Sequence, residues 1–463
     1  MLVSFQTSAY SARIESAGSS FAVGRRSPQT ACGKPQPSLI WIVPPRPPQY
    51  GSTMTVIREI TTDQFLSGLQ KFDRVSFQQT PFWAEARRVD WPEFASVGWY
   101  ADDPDPISVA IIRYRRIPGT AKRFAFIPYG PLIDWDNADI GEQLSALRTY
   151  LESKNVIGVR MLPYISLHRW DNATVRAGLR EPTARHFRDL APDRTNPTAL
   201  RLKAIMRDSG WIEKSVPQET RIDYGLFNFQ LNLEDRTEDE VLAGMHKTWR
   251  YNAKKASREG IEIDLATISD VGDFQRLFTS TGDRNGFPTL STDFFRTMWT
   301  HLGRGLPGRF TTHFARFEGE LLGATTTVRV SSTAECIHTA TDTSKPRVKP
   351  SNALYLATIR QLLSEGAKTY DLGGVKDCLD LETSASGLVR FKTEMGADAH
   401  EYTGAWELPI APRAYAAAAR AMPVYAAAKS RLGALKRSAA GLRSRIPAAG
   451  RARIPAAAGR RPD

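Results

Sequence analysis

From Met54 onward the chain alternates between two hydrophobic rhythms, and each rhythm predicts an element. Apolar residues three and four apart predict a helix over Thr62–Lys71 and another over Ile140–Lys154. The β-branched and aromatic runs "SVGWYA", "ISVAIIRYRRI", "RFAFIPYGPLID" and "GVRMLPY" predict strands around them. Such alternation predicts α/β (α+β) layers for residues 54–219. A second unit, 220–403, opens with the strand "NFQLNL", a helix at His246–Gly260 and the strand "IEIDLAT". Helices at Val271–Thr281 and Ser291–Leu302 follow, then "TTHFARFEGELLGATTTVRV", a hairpin turned at Glu318-Gly319-Glu320. The strand "ECIHTAT", the helix "NALYLATIRQLLSEGA" and the strand "TYDLGGV" complete it.

The ends break both rhythms. Residues 1–53 are rich in Ser, Pro and Gly and predict disorder, so Met54 is an alternative start of the natural protein. Residues 416–463 form an Ala-rich basic tail with the near-repeat "SRIPAAGRA" and "ARIPAAAGR"; its first half has helix propensity and its prolines end that. Disorder and adhesion to anionic lipid are its two readings.

Charge changes the picture once it is located. The net +13 of the 463 residues divides into +4 for 1–53 and +11 for 413–463, leaving 54–412 at −2. Basic surface on the body must therefore be local. Cys32, Cys336 and Cys378 are an odd set without metal-ligand spacing, which suits a reducing compartment, and no metal site is predicted. No uncharged apolar run reaches the roughly 18 residues of a membrane span.

One locally basic stretch with aromatics in it is "HKTWRYNAKKASREG", His246–Gly260. Leu242, Met245, Trp249, Ala253 and Ala256 recur at helical spacing as a buried stripe, and Lys247, Arg250, Lys254 and Arg258 stand on another face. A solvated helix face and an anion-binding face both fit; Arg250 and Lys254 are the candidates for phosphate. At "YDLGGV", Gly373 and Gly374 let backbone approach a ligand closely or simply serve a turn. Asp371 beside them is either a proton acceptor or a turn cap, and Asp380 is a second possible acceptor. In "GLVRFKTEMG" Phe391 flanks Lys392, whose stem can be buried with its ammonium held in a site, where it would stabilise an oxyanion.

The order hairpin, strand, helix, strand is the core succession of a GNAT-type acyltransferase. Together, "KTWRYNAKKASREGIEI", "YDLGGV", "GLVRFKTEMG" and "EYTGAWEL" resemble the FemABX family of peptidoglycan aminoacyltransferases. "QTPFWAEAR" and "PYGPLID" resemble that family's earlier Gln-x-x-x-Trp and Gly-Pro segments, so the resemblance spans about residues 54–415. It implies two tandem GNAT-like domains without a coiled-coil arm, with 404–415 returning as a strand to the first domain.

The resemblance further implies transfer of an amino acid from aminoacyl-tRNA to the stem-peptide amine of UDP-MurNAc-pentapeptide or lipid II. The expected protein is a monomer in the cytoplasm, at the inner face of the plasma membrane, with the tail touching anionic lipid. No cofactor is implied beyond aminoacyl-tRNA as co-substrate. "SKPRVKPSNALY", with two prolines and no glycine, stands where CoA-dependent enzymes cradle pyrophosphate. By resemblance Lys392 stabilises charge at the reacting ester, and Arg87, four residues after Trp83, meets the precursor's phosphate. Arg284 in "DRNGF" is a second phosphate candidate. An acyl-CoA N-acyltransferase, an enzyme acylating a polysaccharide or lipid, and a non-catalytic nucleic-acid or membrane binder are the competing functions. Mass spectrometry of the natural amino terminus is expected to begin at Met54; a peptide from residues 1–53 overturns that.

Overall fold

The computed structural model describes residues 55–137, 139–214, 226–380, 384–423 and 425. The expectations for 1–53 and for the tail past 425 lie outside those residues. The first half runs β1 (Val56–Glu59), α1 (Thr62–Leu69), α2 (Pro81–Ala86), β2 (Glu93–Tyr100), β3 (Ser108–Arg116), β4 (Arg123–Ile127) and α3 (Ile140–Ser153). It continues with β5 (Val156–Met161), β6 (Ser166–Trp170), α4 (Asn172–Gly178), β7 (Arg194–Thr195), α5 (Pro197–Asp208) and β8 (Ile212–Lys214). The second half runs β9 (Phe227–Asn232), α6 (Glu238–Gly244), α7 (Lys247–Arg258), β10 (Glu262–Leu265), α8 (Val271–Asn285), α9 (Thr292–Gly305), β11 (Phe310–Phe317) and β12 (Glu320–Val330). β13 (Thr333–Thr341), α10 (Pro350–Ser364), β14 (Thr369–Val375), α11 (Ser384–Glu394), β15 (Asp398–Tyr402) and β16 (Ala405–Pro409) follow. Residues 412–423 are helical, so the tail begins with helix.

The two halves repeat one scheme. β2, β3 and β4 form an antiparallel meander, α3 crosses over, and β5 returns parallel to β4. β11, β12 and β13 form the second meander, α10 crosses over, and β14 returns parallel to β13. The predicted hairpin turn is present, with positive φ at Glu318 (52°) and Gly319 (78°), as a two-residue turn matched to strand twist requires.

Strand exchange locks the halves together. The sheets are ordered β1-β2-β3-β4-β5-β16-β8 and β10-β11-β12-β13-β14-β9-β15-β6-β7. A division at 219/220 therefore does not follow the sheets: β6 and β7 come from the first half yet extend the second sheet through β15. The cause is Trp170, 1% exposed, which packs against Phe187 and Phe227 in the second half's core. In return β16 enters the first sheet between β5 and β8 and buries Trp406. A third core joins Phe65 and Trp83 to Phe274, Phe295 and Trp299, and Thr55–Val424 is one compact unit.

The stripe predicted along His246–Gly260 is carried by two helices. Met245 is extended between α6 and α7, with φ −78° and ψ 152°. Met245, Trp249, Ala253 and Ala256 are buried, while Leu242 is only half-buried on the preceding helix. Among the described residues no helix is long and apolar enough to cross a membrane.

Trp406→Ala is expected to cost about 3–5 kcal/mol, the range for emptying a large aromatic site. Urea unfolding followed by tryptophan fluorescence and by circular dichroism should show one coincident transition moved to lower urea, since the halves share strands.

Candidate active site

The parallel pairing of β13 with β14 covers Thr333↔Thr369, Ala334↔Tyr370 and Glu335↔Asp371, then stops although both strands continue. On its other side β14 slips register against β9 between Asp371 and Gly374. Gly373 makes this departure possible: its φ is +81°, and a Cβ there would sit 3.5 Å from the Cys336 carbonyl oxygen. A strand that leaves its ladder exposes backbone donors and acceptors that need other partners.

Lys392 supplies one set. Its ammonium, 4% exposed, donates to the carbonyl oxygens of Gly373 (2.8 Å) and Gly374 (3.2 Å). Burial pulls its pKa down to about 8, against the opposing pull of Cys336 and Asp371. The sequence reading of a buried stem holds, but the head lies on backbone carbonyls. Phe391 turns away from it and packs between Trp249 and Tyr355, joining α7, α10 and α11.

Asp371 supplies the other set. One oxygen accepts from the Gly373 N–H at 2.8 Å and from Asn228 at 3.3 Å. The second accepts from Asn228 (3.1 Å), Gln230 (3.2 Å), Tyr402 (3.3 Å) and Tyr164 (3.5 Å). Of its two sequence readings, the turn cap is what the geometry displays. Tyr402 in turn accepts from Gln230 at 2.7 Å and from Arg74 at 3.0 Å. The Arg74 guanidinium lies 4.6 Å from the centre of the Tyr164 ring, and Tyr129, Tyr164 and Tyr402 pack together. Burial raises the Tyr402 and Tyr164 hydroxyls, so both stay protonated donors.

Glu335 stands opposite Asp371 in the ladder. Burial first, and the Asp371 charge second, push its carboxyl up to about 8, although Phe77 N–H (2.8 Å) and Ser76 (3.2 Å) donate to it. Two carboxylates at adjoining buried positions cannot both ionise cheaply, so Glu335 holds a proton near neutrality. Ser166 and His400 Nδ1 are 3.1 Å apart on β6 and β15. Burial and the charges of Arg74 and Arg169 pull that imidazole down to about 3, which makes it a feeble base for activating a hydroxyl.

Three of the four predicted phosphate ligands have partners within the protein. Arg87 is 6% exposed, pairs with Asp90 at 2.7 Å and lies over Trp83 and Phe294, fastening α2 to α9. Arg250 donates to the carbonyls of Leu242 (3.3 Å), Ala243 (3.0 Å) and Met245 (2.9 Å), closing the C-terminus of α6. Arg284 is exposed and donates to the Thr341 carbonyl at 2.8 Å. Lys254 is exposed on α7, and Asp380 is half-buried just before 381–383, which lie outside the described residues. Arg74, Ser76, Tyr164, Asn228, Gln230 and Glu335 carry no motif that marks them in the sequence, and Tyr402 lies in "EYTGAWEL" without being singled out there. The alternation of Asn228 and Gln230 with Phe229 and Leu231 was the available signal.

A repeated meander, crossover helix and parallel return strand, with the second return strand splayed at a glycine pair, define an acyltransferase fold of the tandem GNAT class. An acetyltransferase (GNAT) domain profile matches residues 243–392. The FemAB family profile matches residues 60–306, more than half of the chain, and the chain belongs to that family. The crystal structure of FemX superposes with a TM-score of 0.64 at 14% identity, covering 78% of this chain and 98% of that one. A tandem GNAT protein from the clavulanic acid biosynthesis pathway matches at TM-score 0.43 and 11% identity, covering 77% and 98%. L-PGS from Bacillus licheniformis matches at 0.40 and 10%, covering 81% and 97%. No curated protein matches the chain.

Gly373→Ala should destabilise the fold by at least about 1–2 kcal/mol, the cost of a left-handed non-glycine residue, while Gly374→Ala should not incur that penalty; urea midpoints compare them. Glu335→Gln tests the buried carboxyl. A raised folded pKa means the native state holds more protons than the unfolded one between about pH 4.5 and 8. Wild-type stability from this group therefore falls as pH rises through that window. Relative to wild type, the Gln variant is expected to gain on the order of a few kcal/mol between pH 5 and pH 8. A pH-independent difference would show that Glu335 ionises normally.

Proposed function

We propose that this chain is an aminoacyltransferase. It moves an amino acid from aminoacyl-tRNA to the stem-peptide side-chain amine of UDP-MurNAc-pentapeptide or lipid II, building the interpeptide bridge of the cell wall. Membership of the FemAB family carries this reading. The proposed setting is the cytoplasm at the inner membrane face, as a monomer, with the basic tail as the contact to anionic lipid.

The reaction is aminolysis of an ester. The amine nitrogen bonds to the carbonyl carbon, the carbonyl oxygen becomes an oxyanion, and the bond to the ribose oxygen breaks. The amine's proton leaves and the ribose hydroxyl gains one, so no redox partner is needed. The chain contributes orientation and charge. Lys392 places a cation beneath the strand end at Gly373 and Gly374, where a developing oxyanion would gain from it. Asp371, with both oxygens engaged, is a positioning residue that holds this end in shape. Asp380 is then the remaining carboxylate of the pair for receiving the amine's proton.

The GNAT-domain match favours a second reading, acyl transfer from acyl-CoA to an amine. The start of α10 argues against a pyrophosphate cradle there: Pro350 brings no N–H, and Lys349 before it is left-handed with φ 57°. A polysaccharide or lipid acceptor shares the same chemistry.

Incubation with a panel of charged tRNAs and both precursor forms, read by product mass, tests the proposal. A precursor heavier by one aminoacyl residue is the expected product. Lys392→Ala is expected to lower turnover by about 10²–10³, the cost of losing one oxyanion stabiliser. A urea titration must accompany it, because two buried carbonyls lose their donor. Near-normal turnover removes Lys392 from the chemistry, and an acyl product formed only with acyl-CoA selects the second reading.

A further inference from the structure

Three exposed cations of α7 form one continuous surface with an aromatic among them. Lys247, Tyr251, Lys254 and Arg258 follow at spacings of four, three and four, which confines them to a narrow stripe about 17 Å long. All four are exposed, and Tyr251 is 59% exposed although it is a large aromatic. The opposite face, Trp249, Ala253 and Ala256, is the buried one, so Tyr251 has no part in that core.

At the N-terminus of the stripe lies a pocket of about 220 Å³ lined by Arg176, Leu179, Arg180, His246, Arg390 and Glu394. It brings three guanidinium groups together with one carboxylate. Arg390 satisfies that carboxylate at 2.9 Å, and Arg176 is held by Asn172 at 2.6 Å. His246 Nδ1 accepts from the Thr248 N–H, which makes Nε2 its hydrogen-bond donor. Arg390 and Lys392 sit two residues apart on α11 and so point to opposite sides of it. The pocket and the strand end that Lys392 holds therefore lie on opposite sides of α11.

We propose that this stripe and pocket form the platform for the RNA acceptor arm, phosphates meeting the Lys and Arg side chains and one base stacking on Tyr251. The assignment rests on the aminoacyl-tRNA reading above and adds the surface that would recognise the carrier. A polymer with a phosphate at every nucleotide matches a row of cations with an aromatic among them. A precursor's single diphosphate needs one cluster and gains nothing from a base-sized ring on a row about 17 Å long. A membrane face would need several apolar side chains to insert, and this stripe offers one tyrosine.

The test uses the full chain and fluorescence anisotropy with uncharged tRNA across a salt series. The basic tail contributes equally to every variant, so differences report the platform. The combined change Lys247→Ala, Lys254→Ala and Arg258→Ala is expected to weaken binding and flatten the slope of log Kd against log salt by about 2, roughly 0.7 for each phosphate no longer neutralised. Arg180→Ala with Arg390→Ala should flatten it further. Tyr251→Ala is expected to weaken binding roughly ten-fold with the slope unchanged, and Tyr251→Phe to restore it. In transfer assays, KM for charged tRNA should rise with Kd. Wild-type affinity and slope in these variants overturn the platform while leaving the tRNA-dependent reaction standing. So does a loss confined to binding of phosphatidylglycerol vesicles. Failure of the wild type both to bind tRNA and to use any charged tRNA overturns the aminoacyl-tRNA reading itself, and the platform with it.

Discussion

Asp371 is 1% exposed, so its carboxylate must find every partner within the protein. Those partners come from separate places: Asn228 and Gln230 on β9, Tyr402 on β15, Tyr164 after β5, and the Gly373 amide two residues on. Removing any one leaves an under-donated buried charge, which costs more than the hydrogen bond itself contributes. That requirement fixes the β14 end against strands of the second half and against a segment of the first. Arg74 extends the tie by reaching Tyr402 from the first half, and the Glu335 proton keeps a second negative charge out of the same space.

Lys392 belongs to the same balance. A buried ammonium is stabilised by the carbonyls of Gly373 and Gly374 and by the nearby carboxylate, and destabilised by its loss of water. With a pKa near 8 it remains mostly charged at neutrality yet close to titration. The left-handed turn at Gly373, the cap by Asp371 and the ammonium beneath are thus three parts of one device for holding a strand end away from its ladder.

Legibility in sequence followed the range of the interactions. The α7 stripe could be read because Trp249, Ala253 and Ala256 repeat at a period the backbone itself imposes. The hairpin at Glu318-Gly319 could be read because a two-residue turn demands positive φ. β6 was not legible because its five residues are held by Trp170 finding a core more than fifty residues away in sequence, which no local pattern encodes. The internal partners of Arg87 and Arg250 were not legible for a related reason: a guanidinium that pairs inside the fold and one that waits for phosphate look alike in a motif. Glu335 and Arg74 gave no signal because a charge in a strand or loop reads as solvent-facing until the opposing sheet is in place.

The protein thus keeps two kinds of positive charge apart. Lys392 lies in a water-poor interior, where its field at the strand end is weakly screened. Lys247, Lys254 and Arg258 act in water, where each is weak and salt-sensitive, and their effect depends on number and spacing. The proposed tRNA-dependent transfer, which must hold a long polyanion and yet stabilise one small oxyanion, would use both kinds. Keeping them on separate helices, α7 and α11, would let the proposed carrier affinity be tuned by surface substitutions without disturbing the balance around Asp371. Surface cations can drift in number and position, whereas the interior set is constrained by the requirement that every buried charge stay partnered.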